Sequence, residues 1–232
     1  RRTGSGRCYG AGASPEGDAE RALAGCEEKG RRFAVGTDEA NELTREQGGG
    51  QLRRYAAAAR IADRFGGDAI GIQYQQGLKD LLPASDLAEG LLNNDDRPEV
   101  LDDAGQPIRP GKAITHFNEV DECAAVDGLL TDQVHRALGQ PAENTLHDLR
   151  WGDTDATGKV DGFIWVFEIS GAVPPAHNKG GYAGPYGYRQ PKMDFRLGGS
   201  SLSGVSKPCI IVWSRFYGAD DRPNLAIGLG DV

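Results

Sequence analysis

The sequence predicts an α/β fold in which a parallel sheet flanked by helices is followed by a β-rich, barrel-like C-terminal domain. Two observations support this prediction. Up to about residue 170, helix-length segments alternate with short apolar runs, the order expected of a parallel sheet covered on both faces. Beyond that point the chain is rich in Gly, Pro and Tyr and continues in strand-length segments without a helical pattern. We therefore expect domains at 1–170 and 171–232.

The first α/β unit is visible before residue 75. Residues 15–30 have a helical composition and end on a glycine, which suits the position after a helix. In segment 51–65 apolar residues recur at three- and four-residue steps, and two glycines end the pattern. The apolar run 69–72 follows at once and is typical of a buried strand.

The alternation continues along the chain. In order we expect a helix, a loop, a strand, a helix and two strands, at 86–92, 93–111, 113–117, 121–139, 145–149 and 162–169. The helix over 121–139 has the strongest pattern, an i, i+4 apolar stripe made of Val126, Leu130, Val134 and Leu138.

Composition excludes two classes of partner. The 26 Lys and Arg residues against 34 Asp and Glu residues give 26 − 34 = −8, whereas nucleic-acid binding requires a basic face. The mean hydropathy of −0.49 predicts a soluble globular protein, and no apolar run approaches the roughly 20 residues of a membrane helix. We therefore expect neither a nucleic-acid partner nor a membrane partner.

The cysteines and the chain ends give two further expectations. Cys8, Cys26, Cys123 and Cys209 lie far apart without a Cys-x-x-Cys pair, which indicates reduced thiols in a cytoplasmic protein. The chain opens without methionine and stops within a strand pattern, which suggests a fragment of a longer protein.

Acidic residues follow two of the predicted strands. Glu119, Asp121 and Glu122 come directly after strand 113–117, at the start of a helix. One interpretation is N-terminal capping, because carboxylates are favoured in the first helical turn. The other is a divalent metal site, because crowded carboxylates repel one another unless a cation neutralises them.

Asp148 lies at the end of predicted strand 145–149, and Gln75 follows predicted strand 69–72. Taken alone, Asp148 is an ordinary residue of a strand end or turn. In a parallel sheet, however, residues that follow consecutive strands meet at one edge, and carboxylate oxygens suit Mg²⁺ or Mn²⁺. The amide of Gln75 could hydrogen-bond a ligand hydroxyl, or could be ordinary polarity at a strand end.

Four segments together resemble a known family. RIADRFGGDAIGIQYQQGLKDLLPASDLAEGLLN, NEVDECAAVDGLLTDQV, TLHDLRWGD and WVFEISGAVPPAHN occur in this order. They resemble the central and C-terminal parts of the L-fucose/L-arabinose isomerase superfamily, over roughly residues 50–232. The resemblance implies interconversion of an aldose and a ketose through an enediol, with Mn²⁺ held by a glutamate, an aspartate and a histidine.

The resemblance also implies roles for particular residues. Ungapped matching through Gly128-Leu129-Leu130-Thr131 places Cys123 at the family's glutamate; an offset of one residue reaches Glu122, and Glu119 is the alternative. Asp148 matches the family's aspartate in its Asp-x-Arg context. Gln75 falls on a glutamine that contacts substrate, and His177 is the candidate substitute for the family's histidine and a second substrate contact.

We therefore expect a metal-dependent aldose–ketose isomerase that acts on a free monosaccharide. Glu122 and Asp148 would be catalytic and, with Glu119, would bind Mn²⁺ or another divalent cation such as Mg²⁺. The family implies a homo-oligomer, because its sites lie between subunits. Two alternatives stay open: a non-catalytic sugar-binding relative, and a metal-dependent aldolase or hydrolase that uses the same carboxylates.

Overall fold

The computed structural model describes residues 17–75, 77–118, 121–168, 173–184 and 186–232. Over these ranges the chain is a mixed α/β fold with four α-helices and small sheets, which confirms the predicted mixture of helices and strands. The helices are α1 Asp18–Glu28, α2 Arg45–Arg64, α3 Asp86–Leu92 and α4 Glu122–Ala137. The strands are β1 Arg32–Phe33, β2 Ala69–Gly71, β3 Thr115–Phe117, β4 Asp148–Thr154, β5 Phe163–Glu168, β6 Tyr186–Arg189, β7 Ser200–Ser203, β8 Ile210–Ala219 and β9 Arg222–Asp231.

The helices lie close to their predicted positions, and only α2 begins clearly earlier. Thr44 caps it: the Thr44 hydroxyl accepts from the Gln47 N–H at 3.2 Å, and the Gln47 side chain accepts from the Thr44 N–H at 3.2 Å. This reciprocal capping box satisfies two backbone donors that the first turn leaves without partners. Three consecutive glycines follow, and their low helix propensity hides this start from the apolar pattern.

The strands form four small sheets, ordered β1-β6-β7, β2-β3, β4-β5 and β8-β9. Parallel pairing occurs in β1–β6 and β2–β3, and the other described pairs are antiparallel. β4 and β5 were expected in a parallel sheet, but the short turn between them allows only a hairpin, since parallel neighbours need a crossover of about a dozen residues or more. Among the described strands no barrel closes.

The expected domain boundary at 170/171 falls within 169–172, outside the described residues. β1 from the first expected domain pairs with β6 from the second, so the two segments share a sheet. The division into two domains stays a prediction.

The hydrophobic core lies between the first three helices and β3. Tyr55 and Ala59 of α2, Leu91 and Leu92 of α3, and Ile114 beside β3 are at most 1% exposed. Alanines on α2 let α1 and α3 approach its axis closely. In the part of the chain that the structure describes, no helix is both long and apolar enough to cross a membrane.

Candidate functional site

The carboxyl edge of the β2–β3 pair holds the first candidate residues. The strands run parallel and in register, and the Ile72 N–H donates to the Phe117 carbonyl at 3.0 Å just beyond β2. Gln75 and the segment from residue 118 onward therefore leave the pair at the same edge. In open parallel sheets, this is the edge where ligands bind.

The two described carboxylates at the start of α4 differ in environment. Asp121 caps the helix, accepting from the Ala124 N–H at 3.1 Å, and forms an ion pair with Arg215 at 2.7 Å. Burial alone would raise the pKa of Asp121, but the hydrogen bonds and the charge of Arg215 bring it below its ordinary value. Glu122 has an exposed side chain, and Glu119 lies outside the described residues. The capping interpretation therefore applies to Asp121, whereas Glu122 is accessible from solvent.

An open groove lies beside Cys123, the residue that follows Glu122 on α4. Its volume is about 500 Å³, and it is lined by Cys123 and by the turn from Phe216 to Pro223 that joins β8 to β9. Small-molecule sites in proteins usually measure about 300–1,000 Å³. A monosaccharide fits within this volume.

Asp148 was expected at the end of a strand in the same parallel sheet, but it is the first residue of β4, which pairs antiparallel with β5 in a sheet separate from β2–β3. Its side chain is 64% exposed and pairs with Arg150 at 3.0 Å. The neighbouring His147 ring meets Phe167 edge-on, with ring centroids 6.1 Å apart. Burial and the charge of His177 lower the pKa of His147 to about 4, against the opposing effect of Asp148. The structure therefore brings Asp148 and His177 to the same histidine.

His177 lies at the opposite end of α4 from Glu122. Burial lowers the pKa of His177, as does the charge of His135, while a hydrogen bond to the Glu143 backbone raises it. His135 is in the last turn of α4, and Glu122 is its first residue. The separation of 135 − 122 = 13 residues, at 1.5 Å per residue, is about 20 Å. The structure does not bring His177 and Glu122 together.

The predicted metal ligands do not form a site within the described ranges. No group of three or more His, Cys, Asp or Glu side chains there is arranged to hold a metal ion. Glu122, Asp148 and His177 therefore do not fit a three-ligand Mn²⁺ or Mg²⁺ site by themselves.

A buried polar cluster that the sequence patterns did not predict lies near the β2–β3 edge. It consists of Arg54 on α2, Asp86 and Glu89 on α3, and His116 on β3, each at most 5% exposed. Asp86 accepts a hydrogen bond from the Gln190 side chain at 2.8 Å. The His116 Nδ1 atom lies 3.9 Å from the Glu89 Oε2 atom.

Asn93 holds the backbone of His116 in place. Its amide donates to the His116 carbonyl at 2.8 Å and accepts from the His116 N–H at 2.7 Å. Burial lowers the pKa of His116 to about 3, helped by the charge of Arg54, so the imidazole is neutral near pH 7. Burial also lowers the pKa of Arg54 to about 10, which still leaves the guanidinium charged.

A sequence signal for this cluster does exist. On α2, the buried residues Gln47, Gln51 and Arg54 recur at steps of four and three, which puts polar side chains on the inner helix face. On α3, Asp86 and Glu89 stand three residues apart among apolar residues. Polar residues that share an inward face at helical spacing would have indicated a buried polar site.

Comparisons with known proteins add no assignment. No protein-family model matches the chain, and a search of curated proteins finds no significant match. The functional argument therefore depends on the residues and their placement.

Proposed function

We propose that the protein is a metal-dependent aldose–ketose isomerase that acts on a free monosaccharide through an enediol intermediate. Its main support is that Gln75 and the segment leading to Glu122 leave neighbouring parallel strands at one edge. The resemblance of four segments to the L-fucose/L-arabinose isomerase superfamily supports it as well. An open groove of about 500 Å³ lies beside Cys123, the residue that follows Glu122.

The proposed chemistry requires one group to move a proton between two adjacent carbons. The exposed carboxylate of Glu122 is the candidate base: it would take the proton from C2 of the open-chain aldose and return it to C1. The Gln75 amide can both donate to and accept from sugar hydroxyls, which would orient the chain. Asp148 is proposed as a second acid–base group, which would carry the O2 hydroxyl proton to O1 and so complete the conversion of the aldehyde into the ketone.

Mn²⁺ or Mg²⁺ remains part of the proposal, with Glu122, Asp148 and Glu119 as ligands. Because the described members of this set do not fit a three-ligand site, we assign the metal no step in the reaction. A complete site would need Glu119 or groups from a second subunit. The homo-oligomer and the cytoplasmic location likewise stay predictions.

A non-catalytic sugar-binding relative is the second candidate. Glu122 lies about 20 Å along α4 from His135, whose charge acts on His177. Asp148 is paired with Arg150. The separation of Glu122 from His177, together with the pairing of Asp148, favours a protein that binds a sugar without turning it over.

The test is ketose formation from a panel of aldoses by the EDTA-stripped protein, with and without added Mn²⁺. We expect Mn²⁺-dependent turnover that falls by about 10²–10⁴-fold in Glu122→Gln and in Asp148→Asn. The matched control is Asp103→Asn, which removes an exposed carboxylate on the 93–111 loop and should keep wild-type turnover.

Two other outcomes would contradict the isomerase, and a third would contradict the role of Glu122. Sugar binding without turnover would establish the non-catalytic relative. Products other than a ketose would indicate an aldolase or a hydrolase. Turnover that is equal in Glu122→Gln and in wild type would remove Glu122 from the reaction.

A further inference from the structure

Arg54 carries a buried guanidinium that forms no hydrogen bond within the described part of the chain. The residue is 5% exposed, and its Nε, Nη1 and Nη2 atoms have no hydrogen-bond partner there. The guanidinium lies over the Tyr74 ring, 5.5 Å from the centroid, and interacts electrostatically with Asp86. Burying polar groups without hydrogen bonds costs free energy, so such a group calls for an explanation.

His116 is a second buried group of this kind, and it lies within electrostatic range of Arg54. The residue is 2% exposed, and neither Nδ1 nor Nε2 has a hydrogen-bond partner among the described residues. The charge of Arg54 acts directly on the imidazole. Two buried polar side chains without hydrogen bonds among the described residues therefore lie within electrostatic range of each other near the β2–β3 pair.

The surroundings disfavour an anion as the missing partner. Asp86 and Glu89 are each 2% exposed; Asp86 interacts electrostatically with Arg54, and the Glu89 Oε2 atom lies 3.9 Å from the His116 Nδ1 atom. An added phosphate or carboxylate would enter a site without excess positive charge. A neutral ligand avoids this repulsion.

The donor and acceptor inventory identifies the class of neutral ligand. A guanidinium only donates hydrogen bonds, whereas a neutral imidazole offers one acceptor nitrogen and one N–H. A hydroxyl group does both: it accepts from the guanidinium and donates to the imidazole. Vicinal hydroxyls of an open-chain sugar would satisfy several of these atoms at once.

We propose that Arg54 and His116 form a hydroxyl-binding subsite for the open-chain sugar. This proposal rests on the proposed function and extends it, because it assigns residues on the inner side of the sheet edge to the substrate. Gln75, the proposed outer contact, directly follows Tyr74, which covers Arg54. One open-chain sugar would therefore contact Arg54 on the buried side of Tyr74 and Gln75 on the outer side.

The subsite is covered by two packed segments. Tyr74 stacks on Phe195 with ring centroids 5.8 Å apart, and the Ala84 N–H donates to the Gly198 carbonyl at 2.9 Å. Tyr74 and Phe195 also form a small hydrophobic cluster of their own, separate from the main core. Entry of a ligand requires Tyr74 and Phe195 to separate.

The test uses arabinitol and galactitol, linear polyols that neither cyclise nor isomerise. We expect calorimetry on the full chain to show binding that weakens at least tenfold in Arg54→Met. The matched control is Arg31→Met, which removes another buried arginine with unpartnered nitrogens, away from the β2–β3 edge, and should keep the dissociation constant within twofold. Inorganic phosphate is titrated in parallel.

A measurement on the unmutated protein covers the case in which Arg54→Met fails to fold. We expect the ring ¹⁵N resonances of His116 to shift on addition of arabinitol, while those of His135 stay in place. An unchanged His116 signal at saturating polyol would overturn the proposal. So would equal polyol affinity in wild type and Arg54→Met, or binding of phosphate but not of polyol.

The outcomes separate this proposal from the proposed function. Aldose turnover in wild type with unchanged KM and polyol affinity in Arg54→Met overturns the subsite and leaves the isomerase intact. Polyol binding that depends on Arg54, in a protein without turnover, supports the subsite and contradicts the isomerase.

Discussion

Two regions of the molecule differ in how much of their apolar side-chain surface is exposed to solvent. The core region, made of α1–α3, β1–β3, β6 and β7, buries residues such as Tyr55, Leu91 and Ile114 almost completely. The hairpin region, made of α4, β4, β5, β8 and β9, leaves Ile210 72% exposed and Leu229 73% exposed. An apolar pattern in the sequence therefore does not reveal whether this chain covers the side chains.

The difference also bears on the candidate sites. Glu122 and Asp148 belong to the hairpin region, and Arg54 and His116 belong to the core region. Two-stranded hairpins are marginally stable by themselves, and large exposed apolar patches mark interaction surfaces. Substitutions in the hairpin region should consequently change the free energy of unfolding of the isolated chain very little, whereas substitutions in the core region should lower it.

The largest expected effect is that of Asp18→Asn, which breaks a buried ion pair of the core region. Arg60 contacts Asp18 through two nitrogens, with the Nη2 atom 3.0 Å from Oδ1, and both side chains are at most 7% exposed. Loss of one partner leaves a buried charge, so the free energy of unfolding should fall by about 3–5 kcal/mol in urea denaturation. Asp103→Asn, which breaks the exposed pair with Arg64, should cost less than about 1 kcal/mol. Equal losses of unfolding free energy in the two variants would contradict the expectation that the buried ion pair contributes more than the exposed one.

A matched pair of leucine truncations tests the comparison directly. Leu91→Ala in the core region removes a side chain that is 1% exposed and should lower the free energy of unfolding by about 2–5 kcal/mol. Leu229→Ala in the hairpin region should change it by no more than about 0.5 kcal/mol. Urea denaturation followed by circular dichroism gives both values. A large loss in Leu229→Ala would mean that this side chain is covered in solution.

The free energy of unfolding should depend on pH because His116 binds a proton more weakly in the folded state than in the unfolded state. Its folded-state pKa of about 3 lies below the ordinary 6.5, so between these values only the unfolded chain takes up the proton. Stability from this group is full above pH 6.5 and is lost as the pH falls towards 3. From pH 7 to pH 5 the loss is roughly 2 kcal/mol, from 6.5 − 5 = 1.5 units at 1.36 kcal/mol each.

His116→Gln should reduce this pH dependence. The measurement is the free energy of unfolding at pH 7 and at pH 5 for both proteins. Equal slopes in variant and wild type would show that His116 takes up its proton in the folded state as readily as in the unfolded one.

The smallest effect concerns the cap of α2. Thr44→Ala removes the hydroxyl that accepts from the Gln47 N–H, and should cost about 1 kcal/mol. Thr44→Ser keeps the hydroxyl and should stay near wild type. If both variants unfold at the same urea concentration, the capping box contributes nothing measurable.

Local patterns were sufficient for the helices and for some of the strands. The three- and four-residue apolar steps of α2 and the short apolar run of β2 depend on neighbouring residues, so they are readable in one dimension. Pairing is different: β1 joins β6 across more than 150 residues, and no local pattern encodes that partner. The hairpin of β4 and β5 was misassigned because strand-length segments look alike in parallel and antiparallel sheets.

The positions of the candidate site residues could likewise be predicted only in part from the sequence. The sequence was enough to place Gln75 and Glu122 after neighbouring parallel strands, because strand order and element length determine which edge a residue leaves. It could not determine that His177 packs near the far end of α4, since the segment between them turns through a hairpin. The buried pairing of Arg54 with His116 joins two elements that are distant in sequence.

Helix α4 is the clearest case in which contacts with other elements determine which face of a helix is buried. By itself the sequence determined an amphipathic helix with an apolar stripe that includes Val134 and Leu138, and such a stripe ordinarily faces a core. The structure leaves these two residues 56% and 68% exposed and buries Asp127 and Asp132. Hydrogen bonds from Ser214, Thr115 and other groups satisfy both carboxylates. Periodicity identifies the faces of a helix, but the partners that other elements supply decide which face is buried.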